Sequence, residues 1–223
     1  MNPDDQLPVR RQRSDGIQAR ERILAAALRL FVERGYASTP VRDIAQAADA
    51  NVAAIAYYFG DKAGLYRAAL YEPVCALAGD DALSAATDLP LRAALAATIR
   101  ACLAPLGQGR NALLCVRLRQ REAFEPTGML DDERPQRERL QRHLTAIVAR
   151  ALGFEPGTPP DPDLHALAFS IRALVVYPYI GHEHIHAAEP RLFDAPGALD
   201  AWVERLTAYA AAMVDAERAR RRP

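Results

Sequence analysis

The 28 residues from Thr39 to Tyr66, TPVRDIAQAADANVAAIAYYFGDKAGLY, constrain this chain more than any other stretch. Two short helical patterns lie back to back in it. Val41, Ile44, Ala45 and Ala48 recur at i, i+3, i+4 and i+7, one face of a helix. Thr39 or Ser38 is placed to cap it with a hydroxyl, and Pro40 suits the first helical position, where an N–H is unpaired anyway. Asp49-Ala50-Asn51 interrupts the pattern with residues that tolerate turn conformations. A second helix follows from Val52 to Tyr58, with Val52, Ile55 and Phe59 on its apolar side. The spacing predicts a helix-turn-helix, whose second helix can enter a DNA major groove.

The flanking sequence supplies what such a unit needs. Ile17, Leu24, Leu28, Phe31 and Val32 predict a preceding helix from about Asp15 to Arg34, capped by Ser14 or Asp15 and stopped at Gly35. Packed on the helix-turn-helix, it makes a three-helix core of Ile23, Leu24, Ala27, Phe31, Val41, Ile44, Ile55 and Phe59. Residues 1–14 show no periodicity and read as a disordered arm. A fourth helix is expected from Asp61 toward Leu77, kinked or ended by Pro73. Beyond Asp88 every pattern is helical: Leu89 to Leu106, Asn111 to Glu122, Asp131 to Leu152, Asp163 to Ile180 and Pro196 to Arg218. The region between 153 and 162, rich in Pro and Gly, is a break. Asp163 to Ile180 is apolar nearly all round and is expected to be buried on more than one side. The fold class is all-α, divided into an arm (1–14), a helix-turn-helix domain (15–60), and a linking helix with a C-terminal domain (61–223).

Val41-Arg42-Asp43-Ile44-Ala45, the turn through Asn51, Ala53-Ala54-Ile55, Tyr57-Tyr58-Phe59 and Asp61-Lys62-Ala63-Gly64-Leu65-Tyr66 together resemble the DNA-binding domain of the TetR family of bacterial transcriptional regulators. Asp49 stands where that family usually has a turn Gly, and Ala56 where it often has Tyr or Asn. The segment Glu122 to Leu130 (EAFEPTGML) and the Pro-rich break are similar to the CecR-like subgroup. The resemblance implies a C-terminal ligand-binding and dimerisation domain, a small-molecule effector, and a double-stranded DNA operator.

Whole-chain charge neither adds to this nor opposes it. The 28 Lys and Arg balance 28 Asp and Glu, which argues against a histone-like binder but leaves room for a local basic face. Residues 1–67 carry ten Lys or Arg against eight acids, and Arg10, Arg11, Arg13, Arg20, Arg22 and Lys62 are candidates for phosphate contacts. Cys75, Cys102 and Cys115, odd in number and unpaired in spacing, do not form a secreted disulfide framework. No apolar run reaches the roughly 18 residues of a membrane span, and no signal segment opens the chain. The expected setting is cytoplasmic, with no membrane partner. Phosphate loops, nucleophile elbows and HExxH are lacking, so no enzyme and no cofactor are expected.

Thr39, Arg42, Asn51, Val52, Ala53, Ala54, Tyr57, Tyr58 and Lys62 are the candidate DNA-binding residues. Small alanines allow close approach and can meet a thymine methyl, while Thr39 at a helix start suits a phosphate. Arg100, Arg117, Arg121, His143 and Tyr177 are polar residues set among core positions of the later helices and are candidates for a ligand pocket. The last two helices suit an isologous four-helix dimer interface. His182-Glu183-His184-Ile185-His186 offers the alternative class, a metal-binding protein or hydrolase. In an extended segment, His182, His184 and His186 would project to one side and meet a metal, whereas a helix would scatter them. The reading carried forward is a homodimeric, ligand-responsive regulator, by family default a repressor, released from a palindromic operator by a small molecule.

Overall fold

Apolar residues at helical spacing, separated by Gly, Pro and Asp, leave few alternatives to helices. The computed structural model describes residues 7–72, 89–129, 138–155, 157, 159 and 161–222, and every regular element among them is helical. The order is α1 (Leu7–Arg34), α2 (Val41–Ala47), α3 (Val52–Phe59), α4 (Lys62–Tyr71), α5 (Leu91–Leu103) with a 3-10 turn (Ala104–Gly107), α6 (Arg110–Phe124), α7 (Arg139–Ala151), α8 (Pro162–Ile180), α9 (His182–Ala188), α10 (Arg191–Asp194) and α11 (Ala198–Arg220). No single helix among the described residues is long and apolar enough to cross a membrane.

The chain forms two compact units. The first joins α1–α4 with α6, and the second joins α5 with α7–α11. The first is therefore larger than the 15–60 span expected from the helix-turn-helix. Its core runs through Ile23, Ala27, Phe31, Ile44, Ile55, Leu65, Tyr66 and Leu70, and takes in Leu114, Cys115 and Leu118 from α6. Five of the eight residues expected in the three-helix core are fully buried, while Leu24, Val41 and Phe59 pack at its edge.

α1 begins at Leu7, so most of the expected arm is helix. Arg, Gln and Leu dominate residues 7–14 and are good helix formers, and Pro8 falls in the first turn, where it is tolerated. Residues 1–6 lie outside the described ones, as do Pro73, Cys75, Leu77 and the first part of the helix expected from Asp131. At 28 residues α1 is on the order of 40 Å long. α3 and α4, with 8 and 10 residues, are too short to cover it. Ile17, expected on the buried face, is accordingly 61% exposed.

The second unit is a helical bundle in which α5 packs on α11 and α7 on α8. α8 buries Leu164, Leu167, Ala168, Ile171, Val175 and Tyr179. The expectation that it would be covered on more than one side is not met within a single chain, because Phe169, Tyr177 and Ile180 are exposed. Asp161 caps α8 by accepting from the Leu164 N–H at 2.7 Å and pairs with Arg221 just beyond α11.

Candidate nucleic-acid interface

Both ends of α3 are fixed by local chemistry. At its start the Asn51 side chain accepts from the Ala54 N–H at 2.7 Å, satisfying one of the orphan donors of the first turn. At its end Gly60 turns the chain with φ +78°, a positive φ that glycine adopts far more readily than a residue with a Cβ. Asp61 then caps α4 by accepting from the Gly64 N–H at 2.7 Å. Gly64 sits directly against α3: a Cβ there would lie 2.0 Å from the Phe59 carbonyl oxygen. The α3–α4 corner closes only because that side chain is absent.

So held, α3 buries Ile55 and lays Ala54, Tyr58 and Phe59 along the edge of the core. Asn51, Val52, Ala53, Ala56 and Tyr57 are exposed. Val52, predicted on the apolar side, is 46% exposed, and Tyr57 is 82% exposed with its ring edge-on to Tyr58 at 5.0 Å. The outward stripe is thus 52, 53, 56 and 57, two residues and then the two that lie one turn later. Ala54 and Tyr58 belong to the flank instead. Ala56 was missed as a surface residue of this stripe, although its i+4 spacing from Val52 carried the signal.

Among the other sequence candidates, Arg42 is exposed on α2 and forms no ion pair with the described residues. Asp43, beside it, is instead taken by Arg34 at 2.8 Å. Thr39 is placed inside rather than on the surface. It is fully buried, and its hydroxyl donates toward the Gly35 and Leu30 carbonyls at the end of α1. Pro40, not Thr39, occupies the cap position of α2. Lys62 is half-buried with its ammonium 4.4 Å from the centre of the Tyr36 ring, and burial lowers its pKa. Arg20 is spent on a bidentate pair with Glu72 at 2.8 and 2.5 Å, and Arg22 leans toward the Ala48 carbonyl. The side chains of Arg10, Arg11 and Arg13 lie outside the described ones.

Behind this face an aromatic and charged cluster ties α4 to α1 and α6. Tyr66 meets Phe31 and Tyr36 edge-on at 5.0 and 4.9 Å and donates to the buried Glu122. Burial, then that hydrogen bond, raises the pKa of Tyr66. Arg121, a candidate for the ligand pocket, instead lies over Gly35, donates to the Val32 carbonyl and pairs with Glu125.

The ligand candidates are divided between the units. Arg117 and Arg121 lie on α6 in the first. In the second, Arg100 pairs with Asp200 at 2.6 Å and is more than half exposed. His143 meets the Thr98 hydroxyl at 2.9 Å, with its pKa lowered by burial. Tyr177 is exposed, its ring lying over Gly181.

The histidines do not form the extended array on which the metal alternative depended. Residues 182–188 are helical, so His182 and His186 stack at 5.9 Å while His184 points elsewhere on the helix. His186 is held by Asp194 at 2.9 Å, and His182 by the Phe193 ring at 4.3 Å. Among the described residues no group of three or more His, Cys, Asp or Glu is placed to hold a metal ion.

A short helix capped at both ends, projecting small and aromatic residues, is the geometry with which the second helix of a helix-turn-helix enters a DNA major groove. Comparison with known proteins specifies the kind of protein. Residues 23–69 match the profile described as bacterial regulatory proteins, tetR family. Residues 91–216, more than half of the chain, match that of the HTH-type transcriptional dual regulator CecR, C-terminal domain. The chain belongs to the TetR family of transcriptional regulators, with a C-terminal domain of the CecR type, a family of regulators and not of enzymes.

Two curated relatives are similar over the helix-turn-helix. The probable HTH-type transcriptional regulator YttP of Bacillus subtilis (strain 168) is 45% identical over 49 residues, 22% of this chain and 24% of the relative. The HTH-type transcriptional dual regulator CecR of Shigella flexneri is 51% identical over 53 residues, 24% of this chain and 23% of the relative. The matches thus span about a quarter of either relative's length. Among solved structures, AibR in complex with isovaleryl coenzyme A and operator DNA superposes with a TM-score of 0.60 at 18% identity. That match covers 86% of this chain and 97% of AibR, and likens the fold alone.

Proposed function

We propose that this TetR-family DNA-binding regulator is a homodimeric, cytoplasmic repressor that occupies a palindromic operator and is released by a small molecule. The observation that carries the reading is the α3 stripe, with Ile55 buried and Val52, Ala53, Ala56 and Tyr57 exposed. Small residues allow the helix to sit deep in the major groove, and the Tyr57 hydroxyl reaches base edges or phosphate. Asn51, Arg42 and Lys62 supply flanking contacts, with Ala54 and Tyr58 lining the groove edge. Two-fold symmetry matches two half-sites one helical turn apart. Phe169, Tyr177 and Ile180 on α8 and Tyr209 on α11 are large apolar residues exposed in the single chain, and their cover is a second copy through α8 and α11. Effector binding in the second unit shifts the population toward a state that no longer spaces the two reading helices for the operator. AibR, a protein of the same fold, is known with both an acyl-coenzyme A and operator DNA.

The test is selection of bound duplexes from a random pool by wild type and by a Tyr57→Ala, Lys62→Ala variant. A palindrome enriched by wild type and lost in the variant supports the reading. Enrichment of an unpaired half-site alone refutes the dimeric form, and no enrichment at low salt refutes the DNA reading.

A further inference from the structure

A groove of about 400 Å³ opens on the first unit where α1, the end of α2 and the start of α6 meet. Its α1 side carries Arg22, Ala25, Ala26 and Arg29, spaced i, i+3, i+4 and i+7 and so on one face. Two alanines thus lie between arginines set roughly 10 Å apart along the helix axis. Arg110 and Leu114 bring a third guanidinium and an apolar side chain from α6. Three arginines share the groove with a single carboxylate, that of Asp49. None of the three forms an ion pair with a described residue. Arg22 leans toward the Ala48 carbonyl at 3.4 Å, and Arg29 and Arg110 are exposed. The neighbouring groove provides the contrast. There Arg29 and Arg34 meet two carboxylates, Glu33 and Asp43, and Arg34 is paired with Asp43 at 2.8 Å. The surplus of positive charge belongs to the groove beside Asp49, and the outward residues of α3 do not line it.

We propose that this groove binds a phosphate-bearing small molecule with a flat or apolar body. Guanidiniums gathered with few carboxylates repel one another, and a dianion placed among them turns that repulsion into attraction. The planar fork of arginine donates two parallel N–H bonds to an oxyanion. A phosphate monoester carries nearly two negative charges above about pH 6 and three strong acceptor oxygens. Its tetrahedral shape lets it accept from α1 and α6 at once, whereas a carboxylate offers one charge and two oxygens in one plane. The alanines and Leu114 give an organic body an apolar surface to lie on. The volume is within the roughly 300–1,000 Å³ of small-molecule sites. Such an occupant joins α1, α2 and α6 beside the turn of the helix-turn-helix. It is distinct from the effector proposed for the second unit, and the inference does not depend on that effector.

The experiment uses full-length protein with 15N-labelled arginine, titrated near neutral pH at low, fixed ionic strength with phenyl phosphate, inorganic phosphate and phenol. The Nε–H signals of Arg29 and Arg110 are assigned by their loss in Arg29→Gln and Arg110→Gln. Phenyl phosphate is expected to move both signals and to bind the double variant at least tenfold more weakly. Arg92→Gln with Arg205→Gln removes the same charge from exposed positions of the second unit and should change affinity by less than twofold. Asp49→Asn, which takes away the opposing carboxylate, should bind phenyl phosphate at least twofold more tightly. Inorganic phosphate should bind at least threefold more weakly than phenyl phosphate, and phenol should leave the signals in place. Unmoved signals, equal weakening in the two double variants, or phenol binding as well as phenyl phosphate each overturn the proposal. Operator titration is the second arm. Affinity of the Arg29→Gln, Arg110→Gln variant within threefold of wild type supports a site separate from the reading face. A tenfold loss of operator affinity, with phenyl phosphate bound alike by variant and wild type, assigns the arginines to DNA and overturns it. If no operator is found, the phenyl phosphate titration still decides, because it needs no DNA.

Discussion

The Tyr66 hydroxyl donates a 2.7 Å hydrogen bond to Glu122 Oε2, joining α4 to α6 across 56 residues of sequence. The other carboxylate oxygen accepts from the Thr127 N–H and hydroxyl at 2.9 and 3.0 Å. Glu122 is 2% exposed, so these three donors replace the water it gave up. α6 falls within the part of the chain that matches the CecR C-terminal domain, yet its core residues Leu114, Cys115 and Leu118 belong to the DNA-reading unit. This pair therefore sets the position of α4, the helix that begins at Lys62 beside the reading face.

Removing the carboxylate leaves the Tyr66 hydroxyl and the Thr127 N–H unpaired in a dry site. Glu122→Ala is expected to destabilise the first unit by about 3 kcal/mol, the upper range for a lost charged hydrogen bond. Glu122→Gln should cost only about 1 kcal/mol, because its oxygen can still accept from Thr127 while its NH2 donates to Tyr66 oxygen. Urea unfolding of both variants, together with Tyr66→Phe and the double variant, measures the coupling directly.

How much of this was legible in sequence follows from the range of each interaction. α2, α3 and their turn were readable because apolar residues recur at helical spacing on either side of Asp49-Ala50-Asn51, a local pattern that the caps at Asn51 and Asp61 then fix three residues away. The all-helical character of the later chain was readable from periodicity. Glu122 was not readable as a core residue. A carboxylate at the end of an amphipathic pattern is normally assigned to the surface, and what buries it is a tyrosine on a different helix. Thr39 failed for a similar reason. A hydroxyl before a helix usually caps it, but here the Gly35 carbonyl just past the end of α1 takes the hydroxyl at 2.7 Å, with the Leu30 carbonyl also in reach. Which of the two geometries the histidines take was not readable, since Gly181 ends α8 and His182 starts another helical turn at once.

The corner between α3 and α4 makes a sharper prediction. Gly64→Ala places a methyl carbon 2.0 Å from the Phe59 oxygen, which backbone movement alone can relieve. A loss of about 3 kcal/mol is expected, comparable with severe overpacking. Operator affinity should fall further than stability does, because relief displaces the end of the reading helix. Thermal unfolding and operator titration of the same samples separate the two losses. An unchanged melting temperature would show that the corner yields without strain.

Asp49 has φ +49° and is the non-glycine residue with positive φ among the described residues. It stands at the helix-turn-helix turn, where the family usually has Gly. Left-handed backbone is costly for a residue with a Cβ, and less so for Asp than for most. Asp49→Gly is expected to stabilise the first unit by about 1 kcal/mol, with operator affinity within twofold of wild type. Denaturant midpoints at constant m-value provide the check.

Acid should weaken the second unit through Asp161. Hydrogen bonds from Arg221 and from the Leu164 N–H pull its pKa from 3.8 down to about 2. A depressed carboxylate contributes its stabilisation fully above its unfolded pKa and loses it as pH falls through the folded one. The contribution of this group is therefore present above about pH 4 and disappears between there and about pH 2. The carboxylate is at the surface, where solvent and salt screen the pair, so the effect should shrink at high ionic strength. Asp161→Asn can still accept from Leu164 but loses the charge. Its melting temperature should lie below that of wild type at neutral pH, and the two should converge toward pH 2. Parallel melting curves that keep a constant separation from pH 6 to pH 2 would show that ionisation at this position is not linked to folding.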